Sequence, residues 1–138
     1  MIPIKKYILV DDDPISNMIC KMVLKRTLGE VETTAFTEPK EALKFIQNEW
    51  ITVLEPTILY LDINMPTLSG WEFLEHYEKL GEEVRKKFSI YILSSSVHQH
   101  DIDKSKANKH VKGFISKPLQ PETVLSVASL KAIYWDNI

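Results

Sequence analysis

The stretch KYILVDDDPIS, residues 6–16, carries a short apolar segment straight into three consecutive acids, Asp11, Asp12 and Asp13, and then into Pro14. Five residues of this composition, stopped by acids and a proline, read as a buried strand. Asp13 has the position of a helix N-cap, and Pro14 suits the first helical turn. Behind them Ile15, Met18, Ile19, Met22 and Val23 recur at helical spacing, which predicts a helix ending near Gly29 with that stripe as its apolar face. A strand and its following helix make one βα unit. The three acids would repel one another at the junction unless something cationic sits among them.

The same alternation continues along the chain. Four further runs read as strands: VETTAF (31–36), TILYLDI (57–63), SIYILS (89–94) and GFIS (113–116). The threonines of the second suit an edge strand. Thr37, Pro39, Ala42, Leu43 and Ile46 repeat the cap, proline and stripe pattern for a second helix. A third follows Ser69, carries Phe73, Leu74, Tyr77 and Leu80, and stops at Gly81. The segment from His100 to Lys109 is polar, with Ile102 and Ala107 as its main apolar residues. A last helix starts at Pro121 and uses Val124, Leu125, Ala128 and Ile133. Gly81 to Phe88 reads as a charged connection. Five strands alternating with five helices predict an α/β, flavodoxin-like, doubly wound three-layer sandwich, its parallel sheet ordered 2-1-3-4-5. Such sheets bind ligands beyond the carboxyl ends of their strands, where strand order reverses, here between strands one and three.

The 138 residues fit a single domain, and 44% hydrophobic with 26% charged residues is an ordinary globular balance. One cysteine, Cys20, excludes an internal disulfide framework. It falls off the apolar stripe of the first helix. A formal net charge of -2 points neither to nucleic acid nor to a membrane surface. With no apolar run of membrane-spanning length, the expectation is a cytoplasmic protein.

The strand ends collect a particular set of groups. Asp11 and Asp12 follow strand one, Asp62 interrupts the apolar run of strand three, Ser94 to Ser96 end strand four, and Lys117 with Pro118 follows strand five. Three carboxylates at one crevice favour a divalent cation, and an oxygen-only donor set completed by water and phosphate favours Mg²⁺. A carboxylate nucleophile, a cation, a lysine and a hydroxyl are the parts phosphoryl transfer requires. Singly, each is ordinary: the acid pair a turn or cap, Ser94 a strand-end hydroxyl, Lys117 a surface lysine, Phe114 a core residue. An uncompensated Asp62 inside an apolar strand would be costly.

The motifs ILVDDDP, LDINMPTLSGWEFL and GFISKPL, with ILSSS between the last two, resemble the receiver domains of two-component response regulators across essentially the whole chain. The resemblance implies that Asp62 is the phosphoacceptor. It implies that Asp11, Asp12, Asp62 and the backbone carbonyl of Asn64 hold Mg²⁺. Ser94 would hydrogen-bond the phosphoryl group, Lys117 would pair with it, and Pro118 would follow a cis peptide. The switch position, often tyrosine in the family, is Phe114, which has no hydroxyl to donate.

The function expected is a stand-alone receiver, residues 1–138, because the 21 residues after Lys117 have room for one loop and one helix and no output domain. It would take its phosphoryl group from a histidine kinase or histidine phosphotransfer protein. Its output would be a protein partner on the fourth helix, fifth strand and fifth helix, and its only catalysis its own phosphorylation and dephosphorylation. The rival is an aspartyl-phosphate phosphohydrolase, but such enzymes usually carry a second acid where Asn64 stands. A nucleotide or flavin binder would want a glycine-rich loop after strand one, and DDDPIS has no glycine. His98, His100 and His110, with Lys104, Lys106, Lys109 and Lys112, read as a solvated, partner-facing surface. Trp50, Trp71 and Trp135 read as packing residues.

Overall fold

Parallel strands require crossovers of a dozen or so residues, and the segments between the apolar runs supply a helix for each. The computed structural model describes residues 4, 6–49, 56–129 and 133–134. The elements are β1 (Lys6–Val10), α1 (Pro14–Leu28), β2 (Glu32–Phe36), α2 (Pro39–Glu49), β3 (Thr57–Leu61), α3 (Gly70–Glu78), α4 (Glu82–Arg85), β4 (Phe88–Ser94), α5 (Gln99–Ala107), β5 (Val111–Ser116), α6 (Pro121–Ala128) and β6 (Ile133–Tyr134). Trp50 and Trp135 lie outside the described residues.

The sheet is parallel throughout, in the order β2-β1-β3-β4-β5-β6. Its first five strands take the expected order 2-1-3-4-5. Every residue of β3 and β4 is buried, as befits central strands covered on both faces, whereas β2 is half exposed at one edge. Helices α2, α3 and α5 cover one face through Ala42, Ile46, Phe73, Leu74, Tyr77 and Ile102. The other face packs under α1 and α6 through Cys20, Leu24, Val124 and Val127. Those two layers over the sheet make the three-layer sandwich.

Several expectations are corrected. The charged connection contains a one-turn helix, α4, so there are six helices among the described residues rather than five. Ile133 belongs to a sixth strand beside β5 and not to the last helix, which stops at Ala128. Glu38, not Thr37, precedes α2, and its carbonyl accepts the Ala42 N–H at 3.3 Å. In α5 the second buried residue is Ser105, whose hydroxyl donates to the Ile102 carbonyl at 2.7 Å, while Ala107 is exposed. Leu125 of α6 is 54% exposed.

The largest correction concerns α1. The predicted stripe faces outward: Ile15, Met18, Ile19 and Met22 are 43–60% exposed, and only Val23 is partly buried against the core. The buried residues are Asn17, Cys20 and Leu24, spaced three and four apart on the opposite face. Cys20 is therefore a core residue. The sheet-facing side of α1 thus includes a polar residue, Asn17, while four large apolar residues face solvent.

Candidate functional site

The pairing of Val10 with Leu61 brings the next residues of β1 and β3, Asp11 and Asp62, side by side at the point where strand order reverses. Backbone bonds hold both in place: the Asp62 N–H donates to the Val10 carbonyl at 2.9 Å, and the Asp11 N–H to the Phe36 carbonyl at 3.1 Å. Both acids are 6% exposed, and Asp12 beside them is exposed. Oxygens of Asp11, Asp12 and Asp62 all lie within 4.8 Å of one another. Asp13 does something else. Its extended backbone precedes α1, and its carboxylate accepts the Ile15 N–H at 2.9 Å, so it is the expected N-cap.

Lys117 projects from the end of β5 into the same crevice. Its ammonium donates to Asp11 Oδ2 at 2.5 Å and lies 4.0 Å from Asp62 Oδ1. Burial works against its charge, but the Asp11 hydrogen bond and the neighbouring carboxylates outweigh it and raise its pKa. For Asp62, burial pushes the carboxyl up to about 6; Asp11 and Asp12 add to the rise, and Lys117 and the Asn64 backbone N–H oppose it. One lysine thus does not compensate the cluster, which retains an appetite for a further cation. Carboxylate oxygens at this spacing suit a hard divalent ion such as Mg²⁺.

The remaining expected residues fall around this centre. Asn64 is exposed, with its amide donating to Ser96 Oγ at 3.3 Å. Ser94 is completely buried at the end of β4, and its hydroxyl oxygen accepts the Ser96 N–H at 3.2 Å. The Lys117 N–H donates to the Ser94 carbonyl at 2.8 Å, which ties the ends of β4 and β5 together. The Lys117–Pro118 peptide is cis. Phe114 is fully buried, paired in register with Ile92 of β4.

Two supporting residues escaped the sequence reading. Asn17, on the buried face of α1, donates to the Asp11 carbonyl at 3.0 Å and to the Phe36 carbonyl at 3.3 Å, anchoring the helix to the backbone at the ends of β1 and β2. A polar residue in helical register with Cys20 and Leu24 was the available signal. Gly70 opens α3 directly against the backbone that follows β3, where a Cβ would meet the Asp62 carbonyl oxygen at 2.6 Å. Nothing larger than glycine fits that approach. Ser69 caps the helix with the reciprocal Ser69–Glu72 bonds of a capping box.

The basic region is less uniformly solvated than expected. His98 and His100 are exposed, but His110 is half-buried, touching Glu78 and the ring edge of Tyr77, while Lys109 pairs with Glu78 at 3.3 Å. Lys104 lies 4.7 Å over the Trp71 ring, whose N–H donates to Asp101 at 3.3 Å. Trp71 is the packing residue expected, here between α3 and α5.

Comparison with known proteins agrees with this geometry. The response regulator receiver domain matches residues 7–129. The chemotaxis protein CheY of Thermotoga maritima is 26% identical over 121 residues, 88% of this chain and 92% of that protein. Among solved structures, a two-component response regulator from Cytophaga hutchinsonii superposes with a TM-score of 0.83 at 26% identity, over 94% of this chain and 99% of the other. A receiver protein from Dyadobacter fermentans gives 0.79 at 27%, over 91% and 93%. With the matched span running from β1 through α6 and taking in all three clustered acids, Ser94 and Lys117, the chain belongs to the response regulator receiver domain family and is of the CheY-like type.

Proposed function

We propose that this receiver accepts a phosphoryl group on Asp62 from a phosphohistidine donor, a histidine kinase or histidine phosphotransfer protein, and signals by protein contact. The observation that carries the reading is the buried Asp62 carboxylate beside Asp11, Asp12 and Lys117 at the switch point of the sheet. An Asp62 carboxylate oxygen attacks phosphorus, the bond to the donor imidazole nitrogen breaks, and the nitrogen keeps the electron pair. The product is an acyl phosphate. Asp11, Asp12, Asp62 and the Asn64 carbonyl would hold Mg²⁺, which supplies charge neutralisation to the transferred group when bound. Lys117 leaves Asp11 for a phosphoryl oxygen, and Ser94 exchanges the Ser96 amide for another. The vacated space lets Phe114 change rotamer, with a readout through packing rather than a hydroxyl.

The exposed stripe of α1 suits the donor. Ile15 and Ile19 border a groove of about 330 Å³ that they share with Ser95, Lys117, Pro118 and Leu119, so an apolar docking surface adjoins the reactive crevice. Exposed apolar patches of this kind mark protein contacts, and methionines let them adapt. Output falls to the face of α5, β5 and α6, the two helices being the fourth and fifth of the sequence pattern. No helix among the described residues is long and apolar enough to cross a membrane, and a cytoplasmic location goes with the proposed phosphorelay role. The only catalysis assigned is self-phosphorylation and its reversal. A phosphohydrolase lacks its general acid here, because Asn64 cannot donate and recover a proton.

Incubation with Mg²⁺ and acetyl phosphate is expected to add one acid-labile phosphoryl group, absent in Asp62→Asn; label that persists in the variant overturns the acceptor. The same variant reads the electrostatics. A carboxyl raised to about 6 contributes stability that is fully present below its ordinary pKa near 3.8 and is lost as pH rises through 6. Metal-free Asp62→Asn is therefore expected to have a higher urea midpoint than the parent at pH 7, and the advantage should disappear towards pH 4.

A further inference from the structure

Directly beneath the acid cluster, on the α1 side of the sheet, β3 carries Tyr60. Its ring is stacked with Tyr7 at 6.4 Å and tilted against Tyr91 at 6.3 Å, so three tyrosines line up across β1, β3 and β4. Tyr60 is only 2% exposed, and its hydroxyl is buried without a hydrogen-bond partner among the described residues. Leaving a buried hydroxyl unsatisfied costs about 1–3 kcal/mol, and phenylalanine would fill the same ring position without that cost. The hydroxyl therefore calls for a partner.

A small cavity supplies the space for one. It is walled by Leu9, Val10, Asp11, Asn17, Cys20, Tyr60, Asp62 and Leu93, and the volume open to the centre of a water-sized sphere is about 10 Å³. That is the least that admits one water, roughly 10–15 Å³, and too little for any larger ligand. The walls are also polar enough, since they include two carboxylates, a thiol and the phenol. The two acids differ in spare capacity. Both oxygens of Asp11 are engaged, Oδ1 by the Asp13 N–H at 2.9 Å and Oδ2 by Lys117 at 2.5 Å. Asp62 accepts from the Asn64 N–H and has Lys117 only at 4.0 Å. An ionised carboxylate offers about four acceptor sites, so Asp62 is the better terminus.

We propose that this cavity binds a single internal water that accepts a hydrogen bond from the Tyr60 hydroxyl and donates one to the Asp62 carboxylate, making Tyr60 a positioning residue for the phosphoacceptor. The water lies on the sheet side of the carboxylate, away from the open crevice where a phosphodonor arrives. It fixes the carboxylate's rotation from below and leaves its outer oxygen to react. The water bridge itself depends on structure alone; its value for phosphorylation rests on the proposed acceptor role of Asp62.

The test is Tyr60→Phe, which keeps the ring stack and deletes only the hydroxyl. Breaking a satisfied water bridge lowers the urea midpoint, whereas removing an orphaned hydroxyl raises it, so the sign decides. In an Asp62→Ala background the effect of Tyr60→Phe is expected to shrink towards zero, as coupled neighbours require. On the wild-type protein, a water-to-protein nuclear Overhauser effect at the Leu93 methyls is expected. A raised midpoint, or no such effect, overturns the water; a lowered midpoint that persists unchanged with Asp62→Ala overturns the link to Asp62. Acetyl phosphate labelling of Tyr60→Phe should be slowed at saturating Mg²⁺, while an unchanged rate beside a confirmed bridge overturns the positioning role alone. Loss of the acceptor reading would instead appear as label surviving in Asp62→Asn.

Discussion

Helices α1 and α5 flank the same crevice and are held to the sheet in opposite ways. α1 has 15 residues, a side-chain N-cap from Asp13, and a buried face of Asn17, Cys20 and Leu24, yet it presents its richest apolar stripe to solvent. α5 has nine residues, no side-chain cap bond at His98, and buries only Ile102 and Ser105. Polar contacts do much of its docking, through the Trp71–Asp101 hydrogen bond and Lys104 above the indole. The difference suits the two jobs proposed for these helices. A donor needs a firm platform with exposed apolar surface, whereas an output element must shift at small cost, and such elements come from the low-stability end of a fold.

The comparison is tested most severely in the cores. Leu24→Ala, at a completely buried site of α1, is expected to cost about 2–5 kcal/mol in the global urea transition. Ile102→Ala should act mainly on α5, raising amide hydrogen exchange from Gln99 to Ala107 well before the rest of the protein opens. Equal, global destabilisation by both would show that α5 is no looser than α1.

The caps give the next contrast. Asp13→Ala should lose about 0.5–2 kcal/mol and leave Mg²⁺ affinity nearly intact. Asp12→Ala should do the reverse, weakening Mg²⁺ binding while leaving the metal-free fold unchanged or more stable. His98→Ala should be close to neutral, since no cap bond exists to lose. Urea melts with and without Mg²⁺ measure all three, because the ion stabilises only a fold that binds it. A Mg²⁺ effect lost in Asp13→Ala and kept in Asp12→Ala would shift the metal site by one residue.

The smallest expected change in stability carries the sharpest functional meaning. Ile19→Asp, at a site 44% exposed, should alter stability by within about 0.5 kcal/mol. Phosphotransfer from a histidine donor should nevertheless fall while labelling by acetyl phosphate is unchanged. Equal loss from both donors would remove α1 as the docking face.

Strand order and the acid positions were legible because β-branched runs ending in acids constrain both pairing and placement. The orientation of α1 was not. Periodicity reveals which residues share a face but not which face meets the sheet, and here the inner face includes Asn17, whose polarity is satisfied by the carbonyls of Asp11 and Phe36. The one-turn helix α4 is too short for a periodic signal, and β6 has two residues. Gly70 and the Tyr60 hydroxyl depend on contacts between elements, which no local pattern encodes.

The two residues of β6 have an effect out of proportion to their length. Pairing Ile133 with Gly113 and Tyr134 with Phe114 caps the outer rim of β5, whose free N–H and C=O groups would otherwise offer a template for another chain. Another chain arriving at β5 would find no open ladder to extend at those positions. The backbone of Phe114 is gripped from both flanks, by Ile92 and by Tyr134. Sliding of the strand is thereby resisted, and what the residue has left to change is the swing of its ring.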